Sequence, residues 1–287
     1  MKRNKFSRMK KCPYCGKEYS DEATNCAIDN ELLLDNQLAK AEEQEAKKDE
    51  PYLTFPDYKW SARDAWKCLG AILILTLTLG LILGITLAIL HFPHSTFKNW
   101  INSGFGDFWG SIFTYAAYLL PAIYFARTKT LATFVNGFGL DCKISKYAWF
   151  GVIMALVIRC HGHFYGWGKI STPDVVFFEN TVGFTRYFFL VPLLLLAPVI
   201  EEVVNRGFLY KAFRGSYSLE ISMALLVLLA IVTHWPQCHN SPSATFSLGV
   251  LTIVQCYLRE KSGSLWDCIL CHFVFNASLL FIAVFLS

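Results

Sequence analysis

From Cys68 onward the sequence is a succession of apolar runs, most of them long enough to cross a bilayer, which takes roughly 20 residues as a helix. Seven such segments can be read, at about 68–90, 108–126, 147–164, 186–213, 219–234, 243–258 and 265–286. In lipid every backbone N–H and C=O must find its partner within the protein, which leaves helices or closed barrels. Continuous apolar runs, as opposed to alternating ones, select helices. The expected fold class is all-α: a polytopic membrane helix bundle of about seven transmembrane helices, with a small unit in front of it. The third segment is the weakest. Only "YAWFGVIMALVI" is strongly apolar before Arg159, Cys160, His161 and His163, which leaves open a re-entrant segment or an early end.

Composition agrees with a membrane chain. The 287 residues are 54% hydrophobic and 17% charged, against about 25% charged in soluble proteins. The charge is concentrated at the front: residues 1–50 carry half of the acids. The first apolar run starts too far in for a cleaved secretory signal. The net charge of +4 comes with no basic-aromatic patch, so nucleic acid is not an expected partner. Lys and Arg in short loops set orientation. Lys59, Arg63 and Lys67, then Arg127, Lys129, Lys143 and Lys146, then Lys211 and Arg214, then Arg259 and Lys261 all fall on one side, whereas the alternate loops hold Lys98 and Lys169. The expectation is a cytosolic N-terminus and a C-terminus outside.

Three regions follow: a Cys-bearing unit at 1–35, a charged linker with an interfacial segment at 36–67, and a membrane domain at 68–287. The first contains "CPYCGKEYSDEATNCAID". Cys12, Cys15 and Cys26, with Asp29 where a fourth thiolate would stand, match the four-ligand demand of structural zinc, for which carboxylate oxygen is acceptable. The stretch resembles a short zinc ribbon of the kind fused to bacterial membrane proteins, with Asp29 departing from the usual Cys. A unit this small has almost no core, so metal binding and folding should be one event.

Ionisable residues inside membrane segments are functional candidates by default. In "APVIEEVVNRGFLY", Glu202 and Arg206 are i,i+4 and share a helix face, while Glu201 points roughly 100° away. His234 closes "LLVLLAIVTH" before Trp235-Pro236, where the helix should end or kink. His272 and Asn276 are again i,i+4. Counted at about 1.5 Å per residue, Glu201, His234 and His272 lie roughly 15–22 Å from the cytosolic ends of their segments, so three helices can converge on one pocket. A desolvated carboxylate is a competent base toward water. Two imidazoles can hold a metal or orient the water, and Asn276 can donate to an oxyanion. That is an assembly for amide hydrolysis without a nucleophilic Ser or Cys.

These residues carry a resemblance. "EEVVNRGFLY" looks like the EExxxR motif of the CPBP intramembrane proteases, the type II CAAX prenyl endopeptidases and their bacteriocin-processing and immunity relatives, also called the Abi family. "HFVFN" matches its HxxxN motif. The middle motif, FxxxH, reads "AIVTH" here, with Ala230 in place of Phe. The resemblance covers about residues 184–286. It implies Glu201 as the base that activates water, His234 and His272 as its partners at a metal or water site, Asn276 as the oxyanion donor, and Glu202 and Arg206 as supports. It implies a peptide or protein substrate, prenylated tails among the candidates, and a bacterial plasma membrane. Zinc is then expected in the ribbon and, metal-assisted hydrolysis being one form of the chemistry, at His234 and His272. The competing reading keeps the fold without catalysis, as a membrane scaffold or immunity-type binding protein. His161 and His163 are read as interfacial, and His91, His94 and His239 as loop residues.

Overall fold

The computed structural model describes residues 60–101, 103–127, 131–164, 190–239 and 241–285, with residues 10–11, 18–20, 23–25, 27 and 34–35 of the front end. The chain divides into two compact units, Met1–Tyr52 and Leu53–Ser287. In the first, three two-residue strands, β1 (Lys10–Lys11), β2 (Glu18–Tyr19) and β3 (Leu34–Asp35), pair antiparallel in the order β2-β1-β3. Lys10 faces Tyr19 on one side and Asp35 on the other. The proposed zinc ligands Cys12, Cys15, Cys26 and Asp29, and the linker at 36–50, lie outside the described residues.

The second unit is helical. Helix α1 (Ala62–Ile89) starts at Ser61, whose backbone N–H and hydroxyl both donate to Asp64 Oδ2, at 3.0 and 2.8 Å. The Asp64 carboxylate thus satisfies the Ser61 N–H, one of the donors at the helix start. Its small residues Ala65 and Cys68 are buried, while Leu73, Ile74, Leu77 and Leu81 are exposed. Apolar side chains that face no protein are what lipid contact requires. After α2 (His94–Ile101) comes α3 (Gly104–Ala126), which stops at Arg127 in a left-handed conformation, φ 56°. Trp60 Nε1 donates to the carbonyl of Ala126 at 3.0 Å, tying the start of α1 to the end of α3. Helices α4 (Leu131–Phe138) and α5 (Tyr147–Phe164) follow.

Residues 190–214 form one helical run with two wide turns. Pro192–Leu196 and Val203–Leu209 are π-helical, and they flank α6 (Ala197–Glu202) and lead into α7 (Tyr210–Arg214). Helix α8 (Leu219–Thr233) is capped by Ser218 and ends at His234, followed by the single turn α9 (Trp235–Cys238). Helix α10 (Pro242–Ser262) has Ser241 as its cap, Pro242 in its first turn and Gly263 at φ 66° past its end. Proline at the start and a left-handed glycine after the end are the favoured helix punctuation. Helix α11 (Leu265–Phe285) completes the unit.

Helix α10 is the shared element: α5, α8 and α11 all pack on it, and α5 also lies along α11. One core gathers Trp60, Phe138, Phe208, Phe213 and Leu226, and a second gathers Ile158, Leu251, Leu258, Cys271 and Phe275. Gly207 lets the 190–214 run approach α4, since a Cβ there would sit 2.6 Å from Phe138 Cδ1.

Each of the seven apolar segments is helical over its described residues, but they are not alike. Among the described residues, Ala62–Ile89, Phe108–Ala126 and Leu265–Ile282 combine the length and apolarity of a membrane span, and Tyr147–Gly162 and Leu219–Thr233 are apolar but shorter. The 190–214 run and α10 carry buried polar groups, among them Glu202, Arg206, Lys211, Arg259 and Glu260, and those groups lower their hydropathy. The third segment neither stops early nor turns back within its described length. Helix α5 continues through Arg159, whose guanidinium lies 3.9 Å over the Phe275 ring and donates to the Phe275 carbonyl at 3.0 Å. The cation is held by α11, so the helix need not end to hydrate it. The ring of His161 packs on Phe246 with centroids 5.2 Å apart.

Candidate active site

The first wide turn of the 190–214 run has a cause that can be read from its prolines. The N–H of Ala197 donates to Pro192 O, five residues back. In that register the carbonyl of Leu193 would be served by residue 198, which is a proline and has no N–H. The Leu193 carbonyl is instead taken by Asn276 Nδ2 of α11, at 2.9 Å. A backbone acceptor left open by Pro198 thus becomes the seat for the Asn of "HFVFN", and the two motif-bearing elements are joined there. The two prolines sit in and just after a π-turn, a form that recurs at functional sites.

One turn further on, Glu202 is fully buried. Its Oε1 accepts three donors: Arg206 Nη1 at 3.2 Å, Gln255 Nε2 at 2.8 Å and His272 Nδ1 at 2.9 Å. These come from its own helical run, from α10 and from α11. Its Oε2 is buried with no hydrogen-bond partner among the described residues. A buried carboxylate is tolerable only when paired and hydrogen-bonded, and here a guanidinium supplies the charge. Because Oε1 accepts, His272 carries its proton on Nδ1 and keeps a lone pair on Nε2. Gln255 is itself buried, and its carbonyl receives the Cys268 thiol at 3.2 Å.

Glu201 points elsewhere, as the 100° step demands. It is partly exposed, and Tyr115 of α3 offers its hydroxyl to Glu201 Oε1 at 3.4 Å. Tyr118, one turn along α3, donates to Asn205 Oδ1 at 2.6 Å. His234 caps α8 with its Nδ1 3.0 Å from the Ala230 carbonyl. A carbonyl only accepts, so this ring too is protonated on Nδ1 and free to accept on Nε2. Among the described residues, no hydrogen bond or ion pair links His234 to Glu201, Glu202 or His272. The structure therefore joins Glu202, Arg206 and His272, sets Asn276 on the same run, and places Glu201 toward α3 and His234 at the end of α8.

Three participants were not foreseen. Gln255 carried the signal that marked the others, a polar side chain within an apolar run, but belongs to no motif. Tyr115 and Tyr118 are ordinary aromatic positions in an apolar helix, and only packing shows which carboxylate and amide they reach.

Metal can be tested against the donor set. Among the described residues, no group of three or more His, Cys, Asp or Glu side chains is placed to hold an ion. His272 spends one nitrogen on Glu202, and His234 spends one on its own helix. Among the described residues, the side chains as arranged do not form a zinc site.

Neither a curated protein nor a solved structure gives a match to this chain. The apolar helices and the family comparison together mark it as an integral membrane protein. The motif side chains Glu201, Glu202, Arg206, His234, His272 and Asn276 all fall within residues 183–278, about a third of the chain, and that segment matches the family model for Rce1-like type II CAAX prenyl endopeptidases.

Proposed function

We propose that the chain is an intramembrane endopeptidase that hydrolyses a peptide bond with a glutamate-activated water. The observation that carries this is the buried contact of Glu202 with His272. It joins two motifs that lie far apart in the chain, inside the segment that matches a protease family. The two adjacent carboxylates divide the work. Glu202 has its Oε1 taken by three donors, which makes it an anchor for Arg206, Gln255 and His272. Glu201 is partly exposed, and to it we assign the contact with water. In this reading Glu201 takes a proton from water, and the oxygen adds to the carbonyl carbon of the substrate. The oxyanion is met by an N–H of Asn276, whose Nδ2 has two hydrogens and spends one on Leu193. The C–N bond then breaks, and the proton held by Glu201 goes to the leaving amine. His234 and His272, each with an accepting Nε2, orient the water and the substrate.

The substrate proposed is a peptide with a prenylated tail, as the family description offers, reached from the basic and therefore cytosolic side of a bacterial plasma membrane. The N-terminal unit is proposed to hold one structural zinc ion through Cys12, Cys15, Cys26 and Asp29.

The test uses purified protein in nanodiscs and an internally quenched farnesylated peptide. Glu201→Gln should lower turnover by roughly 10²–10⁴-fold, the usual share of general-base catalysis, at unchanged melting temperature. Undiminished turnover in that variant refutes the assignment of Glu201. Metal analysis of the same preparations should find one zinc per chain, lost in the Cys12→Ser/Cys15→Ser double variant and kept in His234→Ala/His272→Ala. Zinc that disappears only with the two histidines would reverse the assignment.

A further inference from the structure

We infer that Gln255 is a positioning residue of the active site: its amide holds the Glu202 carboxylate in the one orientation that fixes the ring of His272. This rests on the protease reading above and names a part of the site that the three sequence motifs do not contain.

Glu202 Oε1 receives Arg206, Gln255 and His272, while Oε2 receives nothing among the described residues. A half-turn of a carboxylate only exchanges equivalent oxygens; what varies is the angle of its plane, because the terminal torsion is broad. Something must hold that angle. Arg206 sits on the same helical run one turn away and makes the longest of the three contacts, 3.2 Å. Gln255 approaches from a different helix, α10, at the shortest of the three distances, 2.8 Å. It is nearly inaccessible to solvent, and its own backbone is held by Cys268. Its amide donates from one planar arm, so it fixes the angle at which a carboxylate oxygen meets the His272 ring. With Oε1 pinned, the Nδ1–H of His272 has a single acceptor, and the ring is locked in the tautomer that leaves Nε2 bare. Without Gln255, the carboxylate can turn, and the imidazole can flip or move its proton to Nε2. An orienting partner behind a catalytic imidazole acts through that choice of tautomer.

The measurement is ¹⁵N NMR of ring-labelled histidine in nanodiscs, with the His272 signals assigned by comparison with His272→Ala. The wild type should show one neutral tautomer, protonated on Nδ1. Gln255→Met, which keeps length and volume but has no donor, should show a mixture of both tautomers. Gln255→Leu, which also lacks a donor and differs from Met in shape, should also lose the single signature; it covers the case in which the Met variant does not fold. On the farnesylated peptide these variants should lower kcat by roughly 10–100-fold with KM changed less than about twofold, because the group acts on the chemistry and not on binding. A folded Gln255→Met or Gln255→Leu protein whose His272 signals match the wild type overturns the inference, whatever its activity. Normal tautomer loss with no peptide cleavage by the wild type sinks the protease reading instead and leaves the positioning role standing.

Discussion

Glu202 and Arg206 show how a charge is kept in an apolar interior. The two side chains are 0% and 5% exposed and 3.2 Å apart, so each depends on the other for the electrostatic part of what water would supply. Removing one partner of such a pair leaves an uncompensated charge, whereas removing both leaves only a packing defect. Arg206→Met should therefore destabilise the protein by about 3–5 kcal/mol, and adding Glu202→Gln should recover most of that loss. Thermal unfolding of the two singles and the double, followed by size-exclusion chromatography after heating, checks this, and additive losses would contradict it. The same residue-scale logic separates the adjacent acids. Their identity is the same and their neighbours are not: Glu202 meets three donors, Glu201 meets a tyrosine hydroxyl at 3.4 Å. The i,i+4 spacing made the Glu202–Arg206 pair legible in advance. Nothing in the sequence said that His272 would side with Glu202.

The instructive element is the 190–214 run. Two prolines and two π-turns leave the carbonyl of Leu193 to be completed from another helix by Asn276. The motif asparagine thus has a structural task beside its proposed catalytic one. The two can be separated by restoring the missing backbone donor. Pro198→Ala gives Leu193 an N–H at the register that the π-turn expects. In that background Asn276→Ala should cost about 1 kcal/mol less than it does in the wild type, the net worth of one hydrogen bond. Equal costs in both backgrounds would show that the Leu193 contact is incidental. Ser61, Ser218 and Ser241 begin helices and Gly263 follows one. The continuation of α5 past Arg159 was not legible in the sequence, because an arginine in an apolar run ends a helix only if nothing inside receives it. Phe275 receives it here.

At the scale of the whole molecule, the basic residues and the packing make connected statements. Arg259 of α10 is buried, donating to the Phe138 carbonyl at 2.9 Å and to the Gly263 carbonyl, and Lys211 reaches the Gly137 carbonyl at 3.1 Å. Asp267 accepts from Ser145 N–H at 2.9 Å, and Trp266 donates to Leu140. Residues 137–145 are thus stapled to both C-terminal helices on the side predicted to be cytosolic. Arg259→Met should lower the melting temperature by several degrees, since it strips two buried carbonyls of their donor at about 1–3 kcal/mol each; an unchanged melting temperature would count against the staple. Reporter fusions placed after Lys98 and after Lys129 should report opposite sides of the membrane, and the same side from both would invert the topology drawn from the loop charges. The sequence by itself determined that this chain is helical and membrane-borne and which ionisable side chains sit deep in apolar runs, because hydrophobic patterning and the cost of burying charge act locally. Only the tertiary structure decided which of two neighbouring glutamates meets the histidine, that Gln255 completes its shell, and that Asn276 fills a carbonyl orphaned by a proline. Those pairings link residues tens of positions apart, and side-chain partners across helices depend on rotations and crossings that no local pattern encodes.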